Sequence, residues 1–519
     1  QLVVYLMPAS VQDRQRPPLH WSRTMAWSAC AAVCAAAAAV HALLALPASA
    51  TRPPPRGSAL AQGPGVVARH DDAPHVYSAV LDLGSTGCRI HVWRFDARTH
   101  GLLDIGDAPE IFVQTEPGVS SCGVDDPACV RKLIDPLVAA AVAAVPEAAR
   151  PSTPLAVRGT GGLRLLDQES REWLLRQVRG LVGRGGFRDA GVQVMDGDDE
   201  GANMWVAVNY LLSSAAHGQY APAVVVDLGG ASVQIAYAAG AQAAGAGKGG
   251  LSLLQDPNYM CDAAVPGQPS GFKLYRKSHK YGIMQGRAWM FSLAKDEGFE
   301  EENPCLFKGF QGIFSYDNHN YHGKGTGDAS ACMKLVTKTF HLEDSCGAHA
   351  GVGQGCSFDG AWAGPGWGGA AASLAAEGGA PAGQPRIAAC SAIYDALLYV
   401  GVIPEGVKSI TAKPRDYVEL AQKICGMPLS EVRRQYPMLP EKVAPWICFD
   451  LSFSAAFLIR GMGLDPGREI LVIKEIPYQG RDNHMISASW PLGVALDGLG
   501  VAGSCARVGR RGAGVVTER

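Results

Sequence analysis

Apolar positions along the chain follow two rhythms. Residues 79–90 read AVLDLGSTGCRI and residues 224–235 read VVVDLGGASVQI, and the two align without a gap. Each is an apolar run that stops at Asp-Leu-Gly, passes through small residues and resumes with alternation, the pattern of two strands joined by a tight turn. Between the copies the period lengthens to that of helices. Leu174, Val178, Leu181 and Val182 share one face of a segment that Asp167 can cap. A second helical segment runs from Glu200 through Trp205 and Val208 to Leu212. Strands alternating with helices predict an α/β protein, and the repeated hairpin predicts two related lobes.

The terminal segments read differently. Residues 27–46 form an alanine-rich apolar run, preceded by Arg14, Arg16 and Arg23 and followed by Ala48-Ser49-Ala50. That is the pattern of a signal peptide or a membrane anchor, and either places the body on the lumenal or extracellular side of a membrane. A proline-rich stretch, residues 51–65, detaches the run from the body of the chain, and ordered sequence is expected from Pro74. Residues 238–250 and 368–384 are dominated by glycine and alanine and are expected to be loops.

Composition narrows the function. Charged residues make up 18% of 519 and leave a formal net charge of -2, which excludes the basic footprint of a nucleic-acid-binding protein. A small anionic ligand must instead be held by local geometry. Of fourteen cysteines, Cys30 and Cys34 lie in the apolar run. No pair has CxxC spacing, so disulfides in an oxidising compartment account better for the rest than a metal site does. Cys122 with Cys129, and Cys425 with Cys448, are local pairs by spacing. No Asn-x-Ser/Thr sequon occurs, so glycosylation adds nothing to the secretory reading.

The chemistry collects at the turns. A strand that ends in Asp-x-Gly followed by small residues lets successive backbone N–H groups converge into a concavity for phosphate oxygens. Ser85 and Thr86 in the first copy and Ser232 in the second add hydroxyl donors. Asp82 and Asp227 at the strand ends suit Mg²⁺ or Ca²⁺ held by few carboxylates and several waters. A third loop, Arg158-Gly159-Thr160-Gly161-Gly162, follows the apolar residues 155–157 and repeats the logic at a strand-to-helix junction. The fourth element, residues 195–201 (MDGDDEG), places acids at a helix start. Ordinary capping accounts for two or three of them. One is left to orient and deprotonate water for attack on phosphorus, and Glu200 is the candidate base.

The ordered set DLGSTGCRI, VRGTGGLRLL, DGDDEGANMWVAVNYLL and DLGGASVQI, with SWPLGVAL at residues 489–496, closely resembles the signature regions of the apyrase (nucleoside triphosphate diphosphohydrolase) family. CSFDGAW and APWICFD are similar to segments of its plant and algal members. The resemblance implies an actin-like ATPase fold: two RNase H-like lobes with a nucleotide cleft between them. The corresponding division is an N-terminal signal or anchor with linker (1–73), lobe 1 (74–196 with 481–505), lobe 2 (197–480) and a basic tail (506–519). It implies that Asp82 and Asp227 hold the metal largely through water. Ser85, Thr86, Arg89, Gly229, Gly230, Ala231, Ser232 and Gln234 are implied to line the phosphates and attacking water, with Thr160 and Gly161 as the second phosphate region. Glu200 is implied as catalytic base, and Trp205 and Trp490 as supports of metal site and cleft. The implied substrate is a nucleoside di- or triphosphate, with a membrane partner only if the N-terminal run is retained.

The chain departs from the pattern in two places. Thr160-Gly161-Gly162 stands where the family reads Thr-Ala-Gly, and Cys88 in the first loop reads as a small buried residue. For the nucleobase, Tyr394 and Phe358 are candidate stacking partners. Competing readings are an exopolyphosphatase or a kinase of the same fold, and a non-catalytic nucleotide-binding, actin-like protein; the retained Glu200 speaks against the last.

Overall fold

A computed structural model describes residues 74–505 except 86, 215–219, 240–258, 300–301, 318, 343, 346–354, 359–385, 481–483 and 504, all within one compact unit. The apolar run at 27–46, Thr86 and residues 368–384 therefore lie outside the described residues. Among the described residues no helix is long and apolar enough to cross a membrane.

Both expected hairpins form. β1 (His75–Leu83) pairs antiparallel with β2 (Cys88–Asp96), and the register sets Asp82 opposite Arg89. β3 (Leu102–Leu103) and β4 (Ile111–Thr115) extend the sheet beyond β2, and β5 (Pro154–Gly159) and β6 (Arg188–Val194) extend it in parallel on the other side of β1. In the second sheet β7 (Val224–Leu228) pairs antiparallel with β8 (Val233–Ala239), setting Asp227 opposite Gln234. β8 thus runs two residues into the stretch read as a loop. β9 (Met260–Ala263) and β10 (Phe272–His279) continue beyond β8, while β11 (Ile387–Ser391) lies parallel to β7, followed by β13 (Ile470–Ile473) and, antiparallel at the edge, β12 (Ser409–Ala412). Hairpin on one side, parallel strands on the other: the second sheet repeats the first, so the sequence duplication is a duplication of architecture.

Helices cover both faces of each sheet. Asp126 caps α1 (Pro127–Ala144) through the Cys129 N–H, and Asp167 caps α2 (Gln168–Val182) through the Ser170 N–H, as expected. These two bury Leu81, Ile90, Val157, Leu137 and Val178 on one side of the first sheet. On the other side Val80, Trp93 and Ala156 join Trp205, Val208, Val225 and Leu492 in a core shared with the second sheet. That core is built on α3 (Gly197–Ser214), which packs against β7, β8 and β10. The far face of the second sheet, carrying Val224 and Val226, is covered by α4 (Ile283–Asp296) and by three further helices. These are α5 (Ala392–Tyr399), α6 (Pro414–Ile424) and α7 (Ile447–Ala456). Strands buried on both faces read as continuous apolar runs rather than alternations, hence VVVDL.

α8 (Trp490–Gly498) returns to the first sheet, packing on β1, β5 and α3, and Ser78 donates to the Ala495 carbonyl at 3.0 Å. Disulfides join Cys122 to Cys129 and Cys425 to Cys448, the pairs expected from spacing, and also Cys305 to Cys332 and Cys261 to Cys505. α8 approaches α3 closely at Gly493, where a Cβ would lie 2.7 Å from the Asn203 carbonyl carbon and 2.8 Å from its Cα. Backbone cannot yield there as a side chain can. Gly493→Ala is expected to cost roughly 1–3 kcal/mol of stability, measured by urea unfolding.

Candidate active site

The two hairpin turns, the third loop and the start of α3 meet, and each junction is visible as a contact. Between first hairpin and loop, the Thr160 N–H donates to the Leu83 carbonyl at 3.3 Å. A Cβ on Gly162 would stand 2.8 Å from Ser85 Cα, so the glycine permits the loop to lie against the turn. Between loop and helix, Arg164 closes the one-turn helix Gly161–Arg164 and donates to the Met195 carbonyl (3.1 Å). Both its terminal nitrogens also donate to Glu200 Oε2 (3.0 and 2.9 Å). Between helix and second hairpin, Gly201 faces Gln234, whose amide donates to the hydroxyls of Ser232 (2.8 Å) and Ser278 (3.1 Å).

The four acids at the helix start have different partners, which corrects the expectation that capping absorbs two or three of them. Asp196 alone caps, accepting the Asp198 N–H at 2.6 Å. Asp198 accepts the Ser278 N–H at 2.6 Å, and Asp199 pairs with Arg276, so both tie α3 to β10. Glu200 faces Arg164. Burial pushes its carboxyl up to about 7, against the pull of the Arg164 cation and with the help of the charges on Asp227 and then Asp82. Both aspartates therefore lie near enough to Glu200 for their charges to act on it.

Asp82 is buried, accepts from Arg89 Nη1 at 3.2 Å through one oxygen, and has no hydrogen-bond partner among the described residues for the other. Its carboxyl is raised, by burial above all, with Arg89 opposing. Asp227 is raised likewise, with the Ser391 hydroxyl opposing. Arg89 is held between Asp82 and Gln114 (3.0 Å). In the second turn Gly229 N–H binds the Ser232 carbonyl at 3.0 Å, and the turn accepts from the first amides of α4 through Gly229 and Gly230. The N–H groups of Gly230, Ala231 and Ser232 donate to no described protein group, which leaves three adjacent donors for an anion. In the first turn Ser85 is exposed.

The remaining expected residues are further back. Trp205 is fully buried and its indole donates to the Ala223 carbonyl at 2.9 Å, fixing the entry to β7. Trp490 opens α8 in the same core. Cys88 is a free, buried thiol pushed up to about 12 by burial, in line with its bland reading. The nucleobase candidates are corrected. Tyr394 and Phe358 are 2% and 1% exposed, Tyr394 bonded to the Val407 carbonyl and Phe358 packed among Phe340, Phe457 and Tyr281, so neither face is open to a base. Sequence reasoning missed Arg164 and Ser391. Arg164 carried a weak signal, one of two arginines that flank the glycine loop; Ser391 carried none.

Residues 68–502 match the GDA1/CD39 (nucleoside phosphatase) family. An apyrase of Solanum tuberosum is 33% identical over 431 residues, spanning 81% of this chain and 87% of its own. A nucleoside-triphosphatase of Pisum sativum is 32% identical over 434 residues, spanning 82% and 88%. Among solved structures, that of nucleoside triphosphate hydrolases from Neospora caninum matches with a TM-score of 0.52 at 14% identity, covering 82% of this chain and 92% of that one. The last likeness is one of fold: two RNase H-like lobes in the actin-like arrangement.

The loop's glycines differ in what they permit. A Cβ on Gly161 would meet only Arg164 Nη2, at 3.9 Å, whereas one on Gly162 would displace Ser85. Gly161→Ala is therefore expected to be neutral or stabilising by up to about 1 kcal/mol, and Gly162→Ala to destabilise by roughly 1–3 kcal/mol, both read from urea unfolding.

Proposed function

The chain belongs to the GDA1/CD39 (nucleoside phosphatase) family, and from that membership we propose that it removes terminal phosphates from nucleoside tri- and diphosphates by direct attack of water, with Glu200 as the base. The observation that carries the reading is the setting of Glu200: its side chain is 13% exposed, both terminal nitrogens of Arg164 grip one of its oxygens at 3.0 and 2.9 Å, and desolvation with the charges of Asp227 and Asp82 raises its carboxyl to about 7.

In this reading the donors of the second turn, with the hydroxyls of Ser85, Thr160 and Ser232, bind the phosphate oxygens and gain strength as charge accumulates there. Water attacks the terminal phosphorus, its proton passes to the Glu200 carboxylate, and the bond to the bridging oxygen breaks in line. Arg164 holds the base by one oxygen. No covalent intermediate is needed.

The residues fit a divalent cation. An unpartnered carboxylate oxygen in the interior is unfavourable unless a cation or water meets it, and Asp82 has one. Among the described residues no cluster of three protein ligands exists, so Asp82 and Asp227 would hold Ca²⁺ or Mg²⁺ with waters and phosphate oxygens completing the shell. Bound there, the cation supplies neutralisation of the phosphate charge. The four disulfides among the described residues support a lumenal or extracellular body. The lobe boundaries at 196, 197 and 480 are part of the same proposal, supported by the return of α8 to the first sheet.

Glu200→Gln keeps the shape and the bond to Arg164 but accepts no proton. Phosphate release is expected to fall roughly 10²- to 10⁴-fold with nucleotide affinity retained; turnover at the parent's rate would remove the base. Because the carboxyl is raised to about 7 and only its ionised form accepts a proton, kcat/KM should fall as pH drops through that value. In Arg164→Ala the cation that favours ionisation is gone, so this limb should move to higher pH, measured by phosphate release between pH 5 and 9.

A further inference from the structure

Ser391 ends β11 and stands at the N-cap of α5, where a serine ordinarily accepts a hydrogen bond from the first turn of its helix. It makes no such bond. Its hydroxyl instead donates to Asp227 Oδ1 at 2.5 Å. Among the described residues no other side chain hydrogen-bonds Asp227.

The backbone is bent to make this contact. β11 lies parallel to β7 with Cys390 beside Asp227 and Ser391 beside Leu228. In extended conformation Ser391 would present its side chain to the face opposite Asp227. The residue has φ 59° and ψ −121°, a left-handed conformation that non-glycine residues rarely adopt. Such strain persists only where its surroundings over-determine it, and it clusters at functional sites. The side chain is exposed, so burial of an apolar group does not explain the choice of residue. Glycine would meet the backbone requirement without strain; what glycine lacks is the hydroxyl.

We propose that Ser391 is a positioning residue for the metal site: its hydroxyl fixes the Asp227 carboxylate in one orientation, so that the second oxygen is held ready for the divalent cation. The proposal rests on the reading that Asp227 helps to hold that cation. Outer-shell donors to a ligating carboxylate typically carry a tenfold or larger share of metal affinity.

Two variants separate this role from a structural one. Ser391→Gly removes both hydroxyl and strain; Ser391→Ala removes the hydroxyl alone. The full chain with the β,γ-imido analogue of ATP is titrated with Mg²⁺, and the concentration giving half the rise in melting temperature is read beside kcat and the nucleotide KM at saturating Mg²⁺. The expected result is a roughly tenfold or greater rise in half-saturating Mg²⁺ for both variants. Ser391→Gly should also melt in chelator at or above the parent's temperature, and the nucleotide KM should be unchanged. A lowered melting temperature with an unaltered Mg²⁺ requirement, in either variant, marks a merely structural serine and overturns the proposal. Asp227→Asn distinguishes the premise. If it abolishes the Mg²⁺ response while the serine variants keep the parent's, the metal reading stands and the role of Ser391 fails; if it keeps the parent's response, both fail.

Discussion

A carboxylate removed from water, beside two others, is unstable unless something pins it and something positive answers it. That constraint organises this molecule. Glu200 is pinned by Arg164, whose guanidinium grips one oxygen with two nitrogens and is itself anchored on the Met195 carbonyl. Asp82 keeps one buried oxygen without a hydrogen-bond partner among the described residues. In the proposed reading a divalent cation with a polyphosphate would meet both needs, the ion answering the carboxylates and the turn amides answering the phosphates.

The fold brings these groups together by repetition. Each lobe contributes a hairpin whose first strand ends in an aspartate and whose turn is built of small residues, and in each the aspartate stands opposite the residue seven positions on. α3 joins the copies: its body fills the core shared by both sheets, and its first turn sends Asp198 and Asp199 to β10 and Glu200 to the loop after β5. Glycines at 162, 201 and 493 remove the side chains that would keep these elements apart. Glu200, the proposed base, is thus fixed on a packed helix, which a hydrolase needs if water is to be held in line without reorganisation.

Much of this was legible from the residues. The paired Asp-Leu-Gly runs revealed hairpins and duplication because a strand-turn-strand unit fits within a dozen residues, and the acidic helix start led to Glu200. Contacts distant in sequence were not legible. Ser391 lies 164 residues from Asp227 in a stretch of small residues that reads as an ordinary strand end, and its backbone angle has no signature in a side chain. Tyr394 and Phe358 show the converse: aromatic character suggested a stacking face, but the apolar packing of the second lobe claims both rings. The acids of α3 were over-assigned to capping because their partners on β10 lie some eighty positions away.

The central claim is that both turns grip a single polyphosphate next to Glu200, and a crystal structure with the β,γ-imido analogue of ATP and Mg²⁺ tests it most directly. The account requires phosphate oxygens bonded to amides of both the 84–87 and the 229–232 turns, with the terminal phosphorus one water away from the Glu200 carboxylate. Phosphates held by a single turn, or a terminal phosphorus with no path through water to Glu200, would contradict it.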